Sequence, residues 1–92
     1  MVNQDAVKEV LTEWLDNPYW AAYYNDAPTE ECKHYVALQM YASDTEDEEA
    51  FEELDQLLKH MGLPELNHLL QYAGNTPERA RIAKIIDHLN NV

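Results

Sequence analysis

Apolar side chains recur at intervals of three and four residues along most of this sequence. In the first such stretch, polar residues separate five apolar ones that fall at i, i+3, i+4, i+7 and i+8: Val7, Val10, Leu11, Trp14 and Leu15. This period matches one face of an α-helix, whereas a β-strand would alternate apolar and polar residues. No stretch of the 92 residues shows that alternation. The sequence therefore predicts an all-α fold.

Prolines and glycines mark the boundaries of these helical segments. Proline is tolerated at the first position of a helix but not inside one, which favours helix starts at Pro18, Pro64 and Pro77. Gly62 is expected to end a helix in a left-handed conformation, and Gly74 to end the next one. The predicted N-terminal caps are Asn17, Thr29, Thr45 and Thr76. Together these signals predict one domain, residues 1–92, built as a compact bundle of five or six short helices with tight turns.

Two of the predicted helices differ in how much of their surface is apolar. The helix from Thr29 to about Ala42 is apolar nearly all round at its centre, so it should be packed on several sides and form the centre of the bundle. The next helix carries a capping box, Thr45 with Glu48, and only one apolar stripe. That stripe consists of Ala50, Phe51, Leu54, Leu57, Leu58 and Met61.

The charge of the chain is strongly negative. Eighteen acidic residues against six basic ones give a formal net charge of −12, which opposes non-specific binding to nucleic acid and to anionic membranes. The longest apolar run, residues 19–24, is far short of the ~20 residues that span a bilayer. A single cysteine and an N-terminal stretch without the basic and apolar parts of a secretion signal favour a cytoplasmic protein.

The acidic helix carries more negative charge than its fold requires. Glu49, Glu52 and Glu53 lie away from the apolar stripe, and each like-charge neighbour at i+3 or i+4 costs ~0.2–0.5 kcal/mol. This crowding is tolerated for solubility, relieved by the basic last helix, or used by a basic protein partner. The last reading makes the chain a small binding or regulatory protein, a monomer or a homodimer, and one form of it is an inhibitor of a nucleic-acid-binding protein.

Aromatic residues supply the second half of that hypothesis. Trp20, Tyr23 and Tyr24 belong to a helix of about seven residues that cannot turn every ring inward, and Trp and Tyr are enriched at binding hot spots. We therefore expect the partner interface to combine these three rings with the three glutamates. A satellite core beneath the same helix is the competing interpretation. No catalytic residue, cofactor or metal is expected in this reading.

A DNA-binding regulator is the first alternative. The two helices after residue 63 are joined by a short glycine-containing turn, as in a helix-turn-helix, and the second carries Arg79, Arg81 and Lys84. These three bases are few beside the ~6–10 phosphate contacts of a typical specific binder. A plain helical hairpin is the simpler interpretation, and nucleic acid is not expected as a partner.

A di-metal enzyme is the second alternative. Glu31 with His34 and Glu65 with His68 repeat the Glu-x-x-His spacing of di-iron bundles, but both histidines are expected to face solvent. A calcium loop starting at Asp44 is excluded because it would place a glutamate where an EF-hand needs glycine. Cys32 lies four residues before Val36 and beside acidic residues, which favours a small core residue over a reactive thiol.

Overall fold

A computed structural model gives the structure of the protein and describes residues 2–74 and 77–91. Within these ranges the chain forms helices and no strand, which confirms the all-α bundle. The six helices described are α1 (Gln4–Trp14), α2 (Pro18–Asn25), α3 (Glu30–Thr45), α4 (Glu48–Lys59), α5 (Leu63–Tyr72) and α6 (Pro77–Asn90). No helix in these ranges is long and apolar enough to cross a membrane. The radius of gyration, 12.8 Å, is close to the ~12 Å of a compact domain of this length.

Side-chain caps begin the first three helices. The Asn17 side chain accepts a hydrogen bond from the backbone N–H of Tyr19 at 2.9 Å, and the Thr29 hydroxyl accepts one from that of Cys32 at 3.1 Å. Asn3 caps α1 in the same way. Each cap satisfies a backbone donor that has no partner inside its helix. The predicted caps at Asn17 and Thr29 are confirmed, and the one at Thr76 lies outside the described residues.

The predicted capping box at Thr45 is wrong. Thr45 is the last residue of α3, and its hydroxyl donates to the Tyr41 carbonyl at 2.8 Å. Glu46 then adopts a left-handed conformation, with φ of 58°, and Asp47 caps α4 by accepting from the backbone N–H of Glu49 at 3.0 Å. The helix continues to Thr45 because a threonine hydroxyl can bond a carbonyl one turn back, while a better capping residue follows at Asp47.

The predicted left-handed cap at Gly62 is also wrong, since Gly62 has φ of −87° and caps the start of α5. The last turn of α4 tightens instead: the N–H of His60 bonds the Leu57 carbonyl and that of Met61 bonds the Leu58 carbonyl. Such i to i+3 bonds end a helix without a left-handed residue. Gly62 then donates its own N–H to the Glu65 side chain at 3.2 Å.

Helix α3 is the centre of the bundle, as predicted. It contacts α1, α2 and α4, whereas α5 and α6 pack mainly against each other. Seven of its residues are buried: Cys32, Tyr35, Val36, Ala37, Leu38, Met40 and Ala42. Helix α6 contributes Ile82, which is fully buried, to the same core.

The apolar stripe of α4 faces this core with one exception. Ala50, Leu54, Leu58 and Met61 are buried as predicted, but Phe51 is 46% exposed. Phe51 lies at the edge of the stripe, on the side of α6, where it lines a cavity instead of a packed contact. The stripe of six residues is therefore narrower in the structure than the sequence suggests.

Candidate functional site

The carboxylates of residues 48–56 form what we call the acidic face of α4. Glu48, Glu49 and Glu52 are exposed. The two other carboxylates lie at the flanks and meet neighbouring helices: Glu53 Oε1 is 3.7 Å from His34 Nε2 of α3, and Asp55 forms an ion pair with Arg81 of α6. These two contacts of the acidic face lie at its two edges, beside α3 and α6.

Two basic residues of α6, Arg79 and Arg81, contact other residues of the protein. The Arg79 guanidinium donates to the Leu70 carbonyl at 3.2 Å and to the Ala73 carbonyl at 3.1 Å, which satisfies carbonyls at the end of α5. Arg81 engages Asp55, and Lys84 is exposed. These contacts agree with a helical hairpin whose charged side chains hold α6 against α5 and α4.

The aromatic residues of α2 pack largely against other rings of the protein. Tyr23 is only 4% exposed and stacks on Tyr72, with ring centres 4.8 Å apart. Tyr23 is therefore removed from the predicted interface, because its neighbours cover it. Trp20 and Tyr24 are half-buried, while Tyr19, which was not predicted as an interface residue, is 49% exposed. We call the group Trp14, Tyr19, Trp20, Tyr23, His68 and Tyr72 the aromatic cluster.

Polar atoms of the aromatic cluster also find partners inside the protein. The Tyr19 hydroxyl donates to the Tyr72 carbonyl at 3.1 Å, and His68 Nε2 lies 2.7 Å from the Tyr23 carbonyl oxygen. The His68 ring packs against Tyr23 and Tyr72, so the prediction that it faces solvent is wrong. The contact with a backbone carbonyl gives a ring nitrogen of the half-buried His68 a hydrogen-bond partner, which the sequence spacing does not reveal.

The two Glu-x-x-His pairs serve separate contacts. His34, half-buried, faces Glu53 across the α3–α4 interface, whereas His68 belongs to the aromatic cluster. Within residues 2–74 and 77–91, no three His, Cys, Asp or Glu side chains are arranged to hold a metal ion. Cys32 is fully buried, as predicted, and burial, followed by the charges of Glu65 and Glu31, raises the pKa of its thiol to about 11.

A groove between α4 and α6 is the feature that the sequence did not indicate. It contains a cavity of about 370 Å³ lined by Tyr35, Gln39, Ser43, Phe51, Leu54, Asp55, Glu78 and Arg81. A second cavity, of about 360 Å³, is lined by Asp55, Leu58, Lys59, Arg81 and Ile85. Both cavities are lined by Asp55 and Arg81, so this ion pair lies between them. We call these two neighbouring cavities together the α4/α6 groove.

A hydrogen-bonded network fixes the wall of this groove at α3. The Tyr35 hydroxyl donates to Glu78 Oε1 at 2.8 Å, and Gln39 Nε2 donates to Glu78 Oε2 at 2.6 Å. Gln39 in turn accepts from the Tyr23 hydroxyl at 2.5 Å. Burial, and then the negative charge of Glu78, raises the pKa of both tyrosines far above the usual range. Both hydroxyls therefore remain protonated donors. The Tyr35 hydroxyl orients the Glu78 carboxylate directly, and the Tyr23 hydroxyl orients the Gln39 side chain that donates to the same carboxylate.

The sequence contains one signal for this network. Tyr35, Gln39 and Ser43 recur every four residues on α3, which places one polar line along the largely apolar centre of this helix. Glu78, the partner of Tyr35 and Gln39, is 43 residues from Tyr35, so only folding could identify it. Comparison with known proteins adds no relative, since no protein family, curated protein or solved structure matches this chain.

Proposed function

We propose that this protein binds a basic protein partner through the acidic face of α4. The observation that supports the proposal is the placement of this charge: Glu48 and Glu52 are exposed, while the contacts from α3 and α6 reach the edges of the face at Glu53 and Asp55. The same carboxylates could be spread over the surface without repulsion along one helix. A cationic partner would offset that repulsion.

The net charge of −12 suits such an encounter. Complementary charge speeds the association of two proteins, and the effect weakens as salt screens it. Apolar anchors supply most of the lasting affinity of an interface. Phe51 is the exposed ring carried by α4 itself, so it replaces Tyr23 as the expected anchor, with the half-buried Trp20 and Tyr24 as more distant contributors.

A cytoplasmic regulatory role belongs to the same proposal. A protein with an acidic face of this kind would compete with nucleic acid for the basic surface of its partner, which is how an inhibitor of a nucleic-acid-binding protein would act. The DNA-binding and di-metal alternatives receive no support from the contacts of the described residues. Arg79 and Arg81 are engaged within the protein, and the two histidines serve separate contacts.

The test compares two double charge reversals that alter the net charge equally. Glu49→Lys with Glu52→Lys changes the acidic face, and Glu9→Lys with Glu13→Lys changes exposed positions of α1. The partner is captured from a native extract at low salt, purified, and its Kd measured for the wild-type protein and both variants. We expect the α4 reversal to weaken binding at least ~10-fold, which corresponds to 1.4 kcal/mol, and the α1 reversal to have a much smaller effect.

Two results would contradict the proposal. Equal weakening by both reversals would mean that the partner responds to net charge and not to α4. Affinity that does not change between low and physiological salt would exclude an interface built on exposed carboxylates. Circular dichroism of both variants provides the folding control.

A further inference from the structure

We infer that the α4/α6 groove receives an arginine side chain of the basic partner, held between the Phe51 ring and the Glu78 carboxylate. This inference rests on the proposed function, because it specifies how the partner is recognised beside the acidic face. It extends that function from attraction by charge to recognition of one kind of side chain.

Glu78 has the geometry of a prepared cation acceptor. A carboxylate offers about four acceptor positions, and the hydrogen bonds from Tyr35 and Gln39 occupy one on each oxygen. Both donors are neutral, so the negative charge of Glu78 remains. The nearby cation, Arg81, is engaged by Asp55. The remaining positions on the two Glu78 oxygens suit the paired N–H groups of a guanidinium.

The shape and lining of the cavity favour arginine over lysine. A volume of about 370 Å³ lies at the small end of the ~300–1,000 Å³ range of ligand pockets, which is suited to one or two side chains. Phe51 and Leu54 present apolar surface on the α4 side of this cavity. A planar guanidinium can stack on a ring such as Phe51 while it pairs with a carboxylate, whereas an ammonium is compact and strongly hydrated.

Glu78 is supported by residues of the core on one side and faces the cavity on the other. Tyr35, which donates to Glu78, is 1% exposed, and Tyr23, which donates to Gln39, is 4% exposed, so two members of the network that orients the carboxylate lie in the core. Rigid binding groups lose less conformational entropy when a ligand arrives. On the other side of the Asp55–Arg81 ion pair, Leu58 and Ile85 line the second cavity, where apolar residues of the same partner segment can pack.

The test uses hexa-arginine and hexalysine peptides with isotope-labelled full-length protein, followed by NMR. Two variants remove the proposed contacts, Glu78→Gln and Phe51→Ala. Asp87→Asn removes one negative charge from an exposed position of α6 and is the matched control for Glu78→Gln. Phe51 is exposed, so its variant keeps the test valid even where Glu78→Gln disturbs the α3 network.

We expect hexa-arginine to bind more tightly than hexalysine and to shift the amide signals of Ser43, Phe51 and Glu78. Phe51→Ala should weaken hexa-arginine binding by about 3-fold to 10-fold, the effect of losing one cation–π contact. Glu78→Gln should weaken it by about 10-fold or more, the effect of losing hydrogen bonds to a charged acceptor. Asp87→Asn should leave it within a factor of about two, as expected of a distant screened charge.

The failures of the two proposals differ. Equal binding of both peptides, with shifts confined to Glu48 and Glu52, would overturn the arginine site and leave the acidic face supported. Groove shifts that the Glu49→Lys and Glu52→Lys reversal does not weaken would support the arginine site and overturn the acidic face. No binding of either peptide at low salt would overturn both.

Discussion

The aromatic helix α2 and the acidic helix α4 each concentrate one kind of side chain, and the fold treats them in opposite ways. In α2 the rings and hydroxyls find partners within the protein, as when Tyr23 stacks on Tyr72 and Tyr19 bonds its carbonyl. In α4 the carboxylates of Glu48 and Glu52 are exposed. Aromatic rings stabilise one another when they cluster, whereas carboxylates repel one another. A crowded aromatic segment can therefore be satisfied inside the fold, whereas the repulsion within a crowded acidic segment is the basis of the partner that we propose.

The largest expected effect tests whether the Tyr23 ring of α2 is covered by the rest of the protein. Tyr23→Ala removes a ring that is 4% exposed and should lower the free energy of unfolding by ~3–5 kcal/mol. Tyr19→Ala, at a position that is 49% exposed, should cost only ~1 kcal/mol. Urea denaturation of both variants measures the difference. Equal losses would show that Tyr23 is not a core residue and would return it to the interface.

Alkaline pH should lower the stability of the protein through its buried titratable groups. The pKa of Cys32 is raised from 9.0 to about 11 in the folded protein. Between these values the unfolded chain releases a proton that the folded protein keeps, so Cys32 stabilises the fold below pH 9 and this contribution is lost towards pH 11. The loss amounts to ~2–3 kcal/mol. Tyr23 and Tyr35 act in the same direction, because their pKa values are also raised by burial.

Urea denaturation at neutral pH and near the folded pKa of Cys32 measures this loss. Cys32→Ala is the control, since it should show a smaller decrease over the same pH interval. Stability that stays constant in wild-type protein would contradict the burial of these groups.

A smaller loss of stability is expected from Arg79, a charged side chain whose partners lie within the protein, like those of the α2 side chains. Arg79→Ala removes the guanidinium that bonds the Leu70 and Ala73 carbonyls, and it should lower the free energy of unfolding by ~1–2 kcal/mol. Lys84→Ala, at an exposed position of the same helix, should change it by less than ~0.5 kcal/mol. Thermal unfolding compares the two. If Arg79→Ala does not change the free energy of unfolding, the contacts of Arg79 with the two carbonyls do not stabilise the fold.

A substitution in the junction between α3 and α4 should stabilise the protein. Glu46 has φ of 58°, a left-handed conformation that favours glycine. Glu46→Gly should therefore stabilise the protein by ~0.5–1 kcal/mol. Glu46→Gln removes the same charge without relieving the backbone, so a gain of similar size in this control would assign the effect to charge. Urea denaturation is again the measurement.

The smallest effect concerns the bridge between the acidic face and α6. Asp55 and Arg81 form an ion pair whose side chains are 51% and 58% exposed, so their coupling energy should be only ~0.2–1 kcal/mol. A double-mutant cycle with Asp55→Asn and Arg81→Gln, read by urea denaturation at low and high salt, gives this energy. A larger, salt-independent value would show that α4 and α6 are joined more firmly than an open groove allows.

Sequence reasoning succeeded where local interactions decide the structure. Asn17 and Thr29 cap helices because a side-chain oxygen reaches a backbone N–H only two or three residues away. It failed where two local solutions compete. Thr45 could begin α4 or extend α3, and Gly62 could end α4 or begin α5. In each case, contacts made by residues later in the chain decide between the two structures.

The candidate site was predictable only in part. The sequence located the carboxylates of Glu49 and Glu52 on one helix, and the structure places both on its exposed surface. It could not show that Tyr23 is covered or that Phe51 is left exposed, because the first depends on Tyr72 and the second on the position of α6. The α4/α6 groove escaped prediction for the same reason.

The sequence by itself determined that this chain forms short helices around an apolar α3 and carries a large negative charge. Helical hydrogen bonds and capping contacts join residues that are near in sequence, so periodicity and turn residues predict the helices and several of their caps. The tertiary structure decided which rings are covered, which carboxylates meet a cation, and where a cavity remains. Those outcomes depend on pairs such as Tyr35 and Glu78, 43 residues apart, whose meeting is set by the packing of whole helices.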